Sequence, residues 1–324
     1  MSSTFKRLPA PAKLNLFLHV VGRAPSGYHH LQTVFQFIDL YDYLSFTRRT
    51  NGAISVTVPG HPELENADNL IVRAAQRLQQ ATGCTWGVHI QCEKHIPLGA
   101  GLGGGSSNAA TTLIALNQLW QTGLSRAELI QLGLELGADV PVFLFGRPAF
   151  AEGVGEQLQT VAATPGSFLL FTPDIFVSTA QVFTDPYLTR NTPEVSIYDF
   201  VDWHDALLLE LKQGIRPNPS NESLIAANGQ VRLFGHNDLQ AVALRQHPRL
   251  TALTDSLKSQ GISVKVSGSG SSVFALFATS KAANRQHEQF QDRILFGIPA
   301  KPGVNVRSWV CTSLVEHPLF HWLD

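Results

Sequence analysis

Cysteine is scarce in this chain. Cys84, Cys92 and Cys311 are an odd number with no Cys-x-x-Cys spacing, which argues against a disulfide framework or a zinc site and fits a reducing cytoplasm. No charge of one sign predominates. Against 24 Lys and Arg stand 25 Asp and Glu, a formal charge of −1, so there is no basic surplus for a nucleic-acid backbone. Long apolar runs are missing too: nothing approaches the roughly eighteen consecutive apolar residues that span a bilayer, so no membrane partner is expected. The stretch after Lys6 and Arg7 could imitate a signal peptide, but Lys13, Asn15 and His19 interrupt it and no small-residue cleavage site follows. No fixed-period repeat is visible. What remains is a globular chain, 44% hydrophobic and, at 324 residues, long enough for two domains. The boundary is placed near residue 160, where Thr160–Ser167 is small and polar.

Glycine, by contrast, is concentrated. The run Pro97-Leu98-Gly99-Ala100-Gly101-Leu102-Gly103-Gly104-Gly105-Ser106-Ser107 places five glycines in seven residues, a composition that costs too much backbone entropy to favour helix or strand. Behind it Asn108–Trp120 has helical spacing. A glycine loop opening a helix lets backbone N–H groups and the positive end of the helix dipole approach an anion. Gly99-Ala-Gly101-Leu-Gly103-Gly104 also satisfies G-x-G-x-x-G. A Rossmann dinucleotide site would need an acid about twenty residues on, at the end of a second strand, and the nearest acid here is Glu128, within the capping box Ser125-Arg-Ala-Glu128. No Lys precedes Ser106, so the run is not a Walker A loop. Ser106 and Ser107 can reach phosphate oxygens or a magnesium ion, and Ser106 can equally cap the helix.

Period-two patterning predicts a strand over Ala12–Val20, with Ala12, Leu14, Leu16, Leu18 and Val20 on the core face and Lys13 and Asn15 together on the other. Further strands are expected over Phe35–Phe46, Ile54–Val58, Val88–His95, Val142–Phe145, Phe168–Phe171, Val264–Val266 and Val273–Phe277. Turns are read at Ser26-Gly27 and Asn51-Gly52. Helices are expected over Asn69–Gln80, from Ser125 to a stop at Gly137, and over Lys281–Asp292. Gly214–Gly235, rich in Pro, Asn, Ser and Gly, reads as a surface loop without structure of its own. Asp139 is a carboxylate just before Pro141 and an apolar run, a place that calls for a cation. Lys13 could meet it, and such a pair can take a proton from a hydroxyl and steady the alkoxide; each taken alone could equally be a surface residue or part of a structural salt bridge. Ser267-Gly-Ser-Gly-Ser-Ser272 is a second glycine cluster, which a hairpin turn would also explain. Tyr28 and His29 offer an aromatic face and a hydrogen-bonding ring, suited to a flat heterocycle or simply to a turn.

These pieces, in this order, resemble the GHMP kinases, a superfamily named for galactokinase, homoserine kinase, mevalonate kinase and phosphomevalonate kinase. Pro11-Ala-Lys-Leu-Asn-Leu16, Pro97–Ser107 continuing into Asn108-Ala-Ala110, and Ser267-Gly-Ser-Gly270 with Val273-Phe274 correspond to its three motifs. Gly27-Tyr28-His29, Asp68-Asn-Leu-Ile-Val72, Gly137-Ala-Asp-Val-Pro-Val-Phe143, Phe150-Ala-Glu-Gly-Val-Gly155 and Arg190-Asn-Thr-Pro193 are similar to the branch whose acceptor is a cytidine diphosphate derivative of methylerythritol. The likeness thins from Trp203 to Gly235 and at the C-terminal tail.

The resemblance implies an α+β, two-domain GHMP fold: residues 1–160 an ATP-binding domain like domain 2 of ribosomal protein S5, residues 161–324 a ferredoxin-like sandwich. It implies an ATP-dependent kinase of the non-mevalonate route to isopentenyl diphosphate, acting on the 2-hydroxyl of that cytidylyl substrate, cytoplasmic, a monomer or homodimer, and using Mg2+. By the same comparison Asp139 is the base, with Lys13 beside it and Asn15 placing the acceptor. Tyr28 and Phe183 would sandwich cytosine while His29 bonds its edge. Asn69, Leu70 and Lys94 fall at the adenine pocket, Pro97–Ser107 wraps the phosphates, and Ser107 is the protein group nearest magnesium. No residue matches the glutamate that completes the metal site in some members, which leaves water and phosphate to do so. Another GHMP small-molecule kinase, a Rossmann oxidoreductase and a non-catalytic nucleotide-binding protein are the alternatives.

Overall fold

A computed structural model describes residues 3–23, 27–213, 223–295 and 305–323. Two long strands, β1 (Thr4–Arg23) and β2 (His29–Arg49), pair antiparallel and form the spine of a first sheet. Their register shifts four times, once at Pro11/Ala12, where a proline lacks the ladder donor, and once between Asn15 and Leu18. With β3 (Ile54–Thr57), β4 (Gly87–Glu93), β5 (Ala149–Glu152) and β6 (Gln157–Thr160) the order is β3-β4-β2-β5-β6, β1 also pairing with β2. Only β3 and β4 run parallel among these pairs, so the sheet is not the parallel sheet of a Rossmann domain.

One face of this sheet is covered by α1 (Leu70–Thr82), α2 (Gly104–Trp120), α3 (Arg126–Leu134) and α4 (Val140–Phe145), whose Ala74, Leu78, Leu113, Leu116 and Phe143 share a core with Phe37, Phe46 and Ile90. In α1 Ala74 and Leu78 are buried and Arg73 is exposed, the division of an amphipathic helix. The second sheet has the order β11-β7-β10-β8, from β7 (Ser167–Pro173), β8 (Gln230–Val231), β9 (Lys265–Val266), β10 (Val273–Phe277) and β11 (Val306–Thr312), with β9 on β10. Period two divides its side chains. Phe168, Leu170, Phe274 and Leu276 meet Leu14, Leu16 and Phe150 of the first sheet, while Leu169, Phe171, Val273 and Phe277 meet α8 (Pro248–Ser259) and α9 (Ser280–Leu295). A further core joins the end of β1 to α5 (Thr179–Thr184) and α7 (Asp238–Gln246) through Leu18, Val20, Val182, Leu239 and Val242, and α6 (Ile197–Gln213) adds Phe200 and Leu207 to the layer between the sheets. The C-terminal segment returns to the first sheet's helices: Leu319 joins their core and Trp322 packs edge-on against Phe5.

Four expectations are corrected. The run Val142–Phe145 is helical, because Pro141 sits in a first turn where its missing N–H costs nothing and Gly146, at φ +80°, supplies the left-handed stop; six apolar residues carry no period that could decide. The α2 helix begins at Gly104, inside the glycine run, since burial of nearly every residue from Ser107 to Trp120 outweighs two poor helix formers. The α3 helix ends at Leu134 with Glu135 as its cap, short of Gly137. Of the supposed loop Gly214–Gly235, residues 223–235 provide β8 and bury Leu224, Ile225 and Val231; 214–222 lie outside the described residues, as does Ser26.

Candidate active site

The outer edge of β1 would expose unpaired backbone donors, and each is taken by a loop that builds a cleft. Lys13 N donates to Leu102 O of the glycine run at 3.0 Å, Asn15 N to Ser267 Oγ of the second glycine turn at 3.3 Å, Leu18 N to His236 O at 2.8 Å and Val20 N to Asp238 Oδ2 at 2.7 Å. Between these loops lies a cleft of about 580 Å³.

Lys13 stands at its floor, 3% exposed. Its Nζ lies 3.2 Å from Asp139 Oδ2 and donates to Asn15 Oδ1 at 2.6 Å. Asn15 Nδ2 in turn donates to Thr33 Oγ1 at 3.0 Å, and Thr33 to Phe17 O, so the pair rests on a hydrogen-bonded chain rooted in β2. Asp139 occupies the N-cap position of α4 without capping it. Its carboxylate turns to Lys13 instead and stays about a third exposed, open to a ligand. The charge pair expected from the sequence is therefore formed, although its members are far apart in the chain.

Opposite stands the glycine run. Gly101 and Gly103 have φ of +74° and +70°, a conformation only glycine adopts freely. Gly103 is the N-cap of α2, no side chain caps it, and the first helical bond runs from Ser107 N to Gly103 O at 2.8 Å. Ahead of it, the N–H groups of Gly104, Gly105 and Ser106 have no intrahelical partner, and all three residues line the cleft. Ser106 does not cap the helix, and its place in the lining is the one expected of Ser107. Ser107 is fully buried behind the lining, its Oγ without a partner among the described residues.

The run is anchored from behind by Asp42, wholly buried, which pairs with Lys94 Nζ and accepts from His95 N and Ile96 N at 2.7 and 2.8 Å. Lys94, Leu70, Leu98 and Gly105 also line a smaller pocket of about 160 Å³, with Val58, Ile71 and Cys92 on its apolar side. Asn69 lines it too, but both ends of its amide are engaged: Oδ1 caps α1 at Ile71 N and Nδ2 donates to Leu64 O. The second glycine turn touches the first. Ser267 Oγ donates to Gly101 O at 3.0 Å and Ser272 N to Ala100 O at 3.1 Å.

Phe183 lines the other end of the cleft, and the His29 ring lies 5.2 Å from it at 31°. Tyr28, next to His29 in the chain, is 69% exposed, and neither of the two is among the residues that line the cleft itself. Burial, then the charges of Arg190 and Arg23, push the His29 imidazole below its ordinary value, so it is neutral at pH 7. Sequence reasoning missed Asp42, Phe176, which overhangs Gly99, and Arg190's bond to His29. Asp42 had a signal: a carboxylate within an aromatic strand must be paired.

Two sheets with a glycine loop feeding a buried helix, opposite a lysine and carboxylate, define the class. Residues 69–147 match the GHMP kinases N terminal domain and residues 220–294 the GHMP kinases C terminal domain. A homoserine kinase from Cytophaga hutchinsonii, 17% identical, has the same fold at a TM-score of 0.63 over 98% of this chain and 96% of its own. More similar is a crystal structure of 4-(cytidine 5'-diphospho)-2C-methyl-D-erythritol kinase, with TM-score 0.70 and 31% identity, covering 95% of this chain and 99% of that one. In sequence, the 4-diphosphocytidyl-2-C-methyl-D-erythritol kinases of Bordetella parapertussis and Dechloromonas aromatica are 47% and 43% identical, over 99% and 96% of this chain and 99% and 98% of theirs. The chain belongs to the 4-diphosphocytidyl-2-C-methyl-D-erythritol kinase family of GHMP kinases.

Proposed function

We propose that this chain transfers the γ-phosphoryl group of ATP to the 2-hydroxyl of 4-diphosphocytidyl-2-C-methyl-D-erythritol, a step of the non-mevalonate route to isopentenyl diphosphate. The observation that carries it is the Lys13–Asp139 pair at 3.2 Å, in one cleft with the uncapped start of α2, whose N-cap Gly103 packs against the Lys13 side chain. The triphosphate lies along Pro97–Ser107 with adenine in the smaller pocket. The acceptor hydroxyl lies at Asp139, which takes its proton. The hydroxyl oxygen attacks the γ-phosphorus in line as the bond to the leaving ADP oxygen breaks, and the Lys13 ammonium offsets the charge on the oxygens in flight. Tyr28, His29 and Phe183 hold the cytosine and so fix an acceptor whose reacting end offers little to grip.

Among the described residues no cluster of three His, Cys, Asp or Glu could cage a metal ion. Magnesium keeps several waters and is held by one or two carboxylates plus substrate phosphates, so Asp139 and the Ser106 hydroxyl suit an ion that arrives with the nucleotide and neutralises phosphate charge. The orphaned Ser107 Oγ lies within the same helical turn. No helix among the described residues is long and apolar enough to cross a membrane. Three free cysteines suit a cytoplasmic enzyme, which we read as monomeric or homodimeric with domains dividing near residue 160.

An ADP-release assay comparing the cytidylyl methylerythritol acceptor with mevalonate and homoserine tests the acceptor; turnover of either of the latter at a comparable rate would refute it. Asp139→Asn is expected to lower kcat by about 10²–10⁴ while ATP still binds. A variant keeping a tenth of the wild-type rate removes Asp139 as the base.

A further inference from the structure

We infer that Arg190 fixes which nitrogen of His29 carries the proton, makes that ring a hydrogen-bond donor at Nδ1, and thereby selects a cytidylyl over a uridylyl acceptor. This rests on the reading above that His29 meets the base. Arg190 Nε donates to His29 Nε2 at 3.0 Å. A guanidinium has five donors and no acceptor and does not lose its charge in proteins, so Nε2 must present its lone pair. The neutral ring then holds its proton on Nδ1. Burial and the neighbouring guanidinium keep the ring neutral, in agreement with that bond.

The same side chain holds the wall against which the ring packs. Its Nη2 donates to Phe183 O at 3.1 Å and to Asp185 O at 2.7 Å, and its Nη1 to Leu188 O at 3.0 Å. Arg190 therefore ties the turn that ends α5 to the start of β2, and sets the spacing of Phe183 and His29 together with the tautomer. Cytosine presents acceptors at O2 and N3, whereas uracil presents a donor at N3. The O2 acceptor is common to both bases, so it is at N3 that a ring locked as an Nδ1 donor pairs with cytosine and opposes uracil. Arg190 is accordingly a positioning residue that acts through His29.

The test uses the full chain. Two-bond 1H–15N correlation spectra of the wild type, with His29 assigned by its loss in His29→Ala, report the tautomer directly and require no folded Arg190 variant. An Nδ1–H ring is expected; an Nε2–H ring overturns the proposal. Steady-state kinetics with the cytidine and uridine diphosphate esters of methylerythritol then compare wild type, Arg190→Met and His29→Ala. Arg190→Met is expected to mix the tautomers and to cut discrimination between the two esters by about 10–100-fold, the loss falling on KM for the acceptor rather than on KM for ATP. Unchanged discrimination in a folded Arg190→Met refutes the role of Arg190. If His29→Ala leaves KM for the cytidylyl ester unchanged, His29 does not meet the base and the underlying reading falls with it. If His29→Ala raises that KM and Arg190→Met alters neither tautomer nor discrimination, only the present proposal is lost.

Discussion

Gly101→Ala is expected to separate the first glycine run from the second glycine turn. A Cβ on Gly101 would lie 2.1 Å from Ser267 O and 3.0 Å from Gly270 O, both backbone atoms that no side-chain rotation can withdraw. The two turns must therefore move apart by most of an ångström. That movement strains or breaks the bonds from Ser267 Oγ to Gly101 O and from Ser272 N to Ala100 O, and the neighbouring one from Lys13 N to Leu102 O. At about 1 kcal/mol each, with about 1 kcal/mol more for alanine at positive φ, the closed loop loses roughly 3–4 kcal/mol. Affinity for ATP should fall about 10²–10³-fold, measured by calorimetry or as KM. Because the loop can open without global unfolding, Tm should fall by no more than about 10 °C. Gly83→Ala is the control: φ there is +65° with nothing within 4 Å of the added carbon, so it isolates the conformational cost, about 1 kcal/mol and a few degrees of Tm. If Gly101→Ala melts like Gly83→Ala and keeps its ATP affinity within threefold, the contact between the turns does not hold the loop.

Lys265 is buried between the sheets, its Nζ donating to Leu16 O, Phe234 O and Gly235 O at 2.8, 2.7 and 3.0 Å, so Lys265→Met strands three carbonyls. About 3–5 kcal/mol and of order 10 °C of Tm should be lost, and a melt within 2 °C of wild type would show that water serves those carbonyls equally well. Burial, and then the charge of Arg126, push His317 down to about 3, so the unfolded chain, with His near 6.5, binds the extra proton between those values. Stability is complete above about pH 6.5 and is lost as pH falls, by about 2 kcal/mol from this residue at pH 5; His317→Asn should flatten denaturation midpoints between pH 7.5 and 5, and identical slopes would exclude His317 as the cause.

What could be read from the chain was local in it. Period two in Ala12–Val20 put Lys13 and Asn15 on one face, and both reach the cleft. Asp139 betrayed itself as a carboxylate without a local reason to be where it is. The glycine run stood out by its own composition, and it lines the same cleft. What escaped were partners brought together by topology: Asp42 with Lys94, Arg190 with His29, Lys265 with Leu16, separated by 52, 161 and 249 residues. No local pattern encodes such pairs. The readings of α4 and of the start of α2 failed for another reason. In α4 six apolar residues fit either period, and in α2 propensity opposed the helix while burial, invisible in a local window, imposed it.

The bulge between Asn15 and Leu18 shows why these long-range pairs cluster at β1. Around that shift the backbone groups of β1 find partners outside the ladder: Phe17 O accepts from Thr33 Oγ1 and Leu16 O from Lys265 Nζ, while Leu18 N on the outer edge donates to His236 O. Lys13 and Asn15 lie just ahead of the break, in unbroken register with β2, and Leu16 and Leu18, within and just beyond it, meet Lys265 and His236 from the second half of the chain. Lys13 is held by both halves of the chain, through Leu102 O on one side and, by way of Asn15, through Ser267 on the other. A base and cation carried on one rigid sheet would need no such arrangement. Here the glycine loop and the second turn touch each other as well as β1, so a displacement of either is expected to reach Lys13.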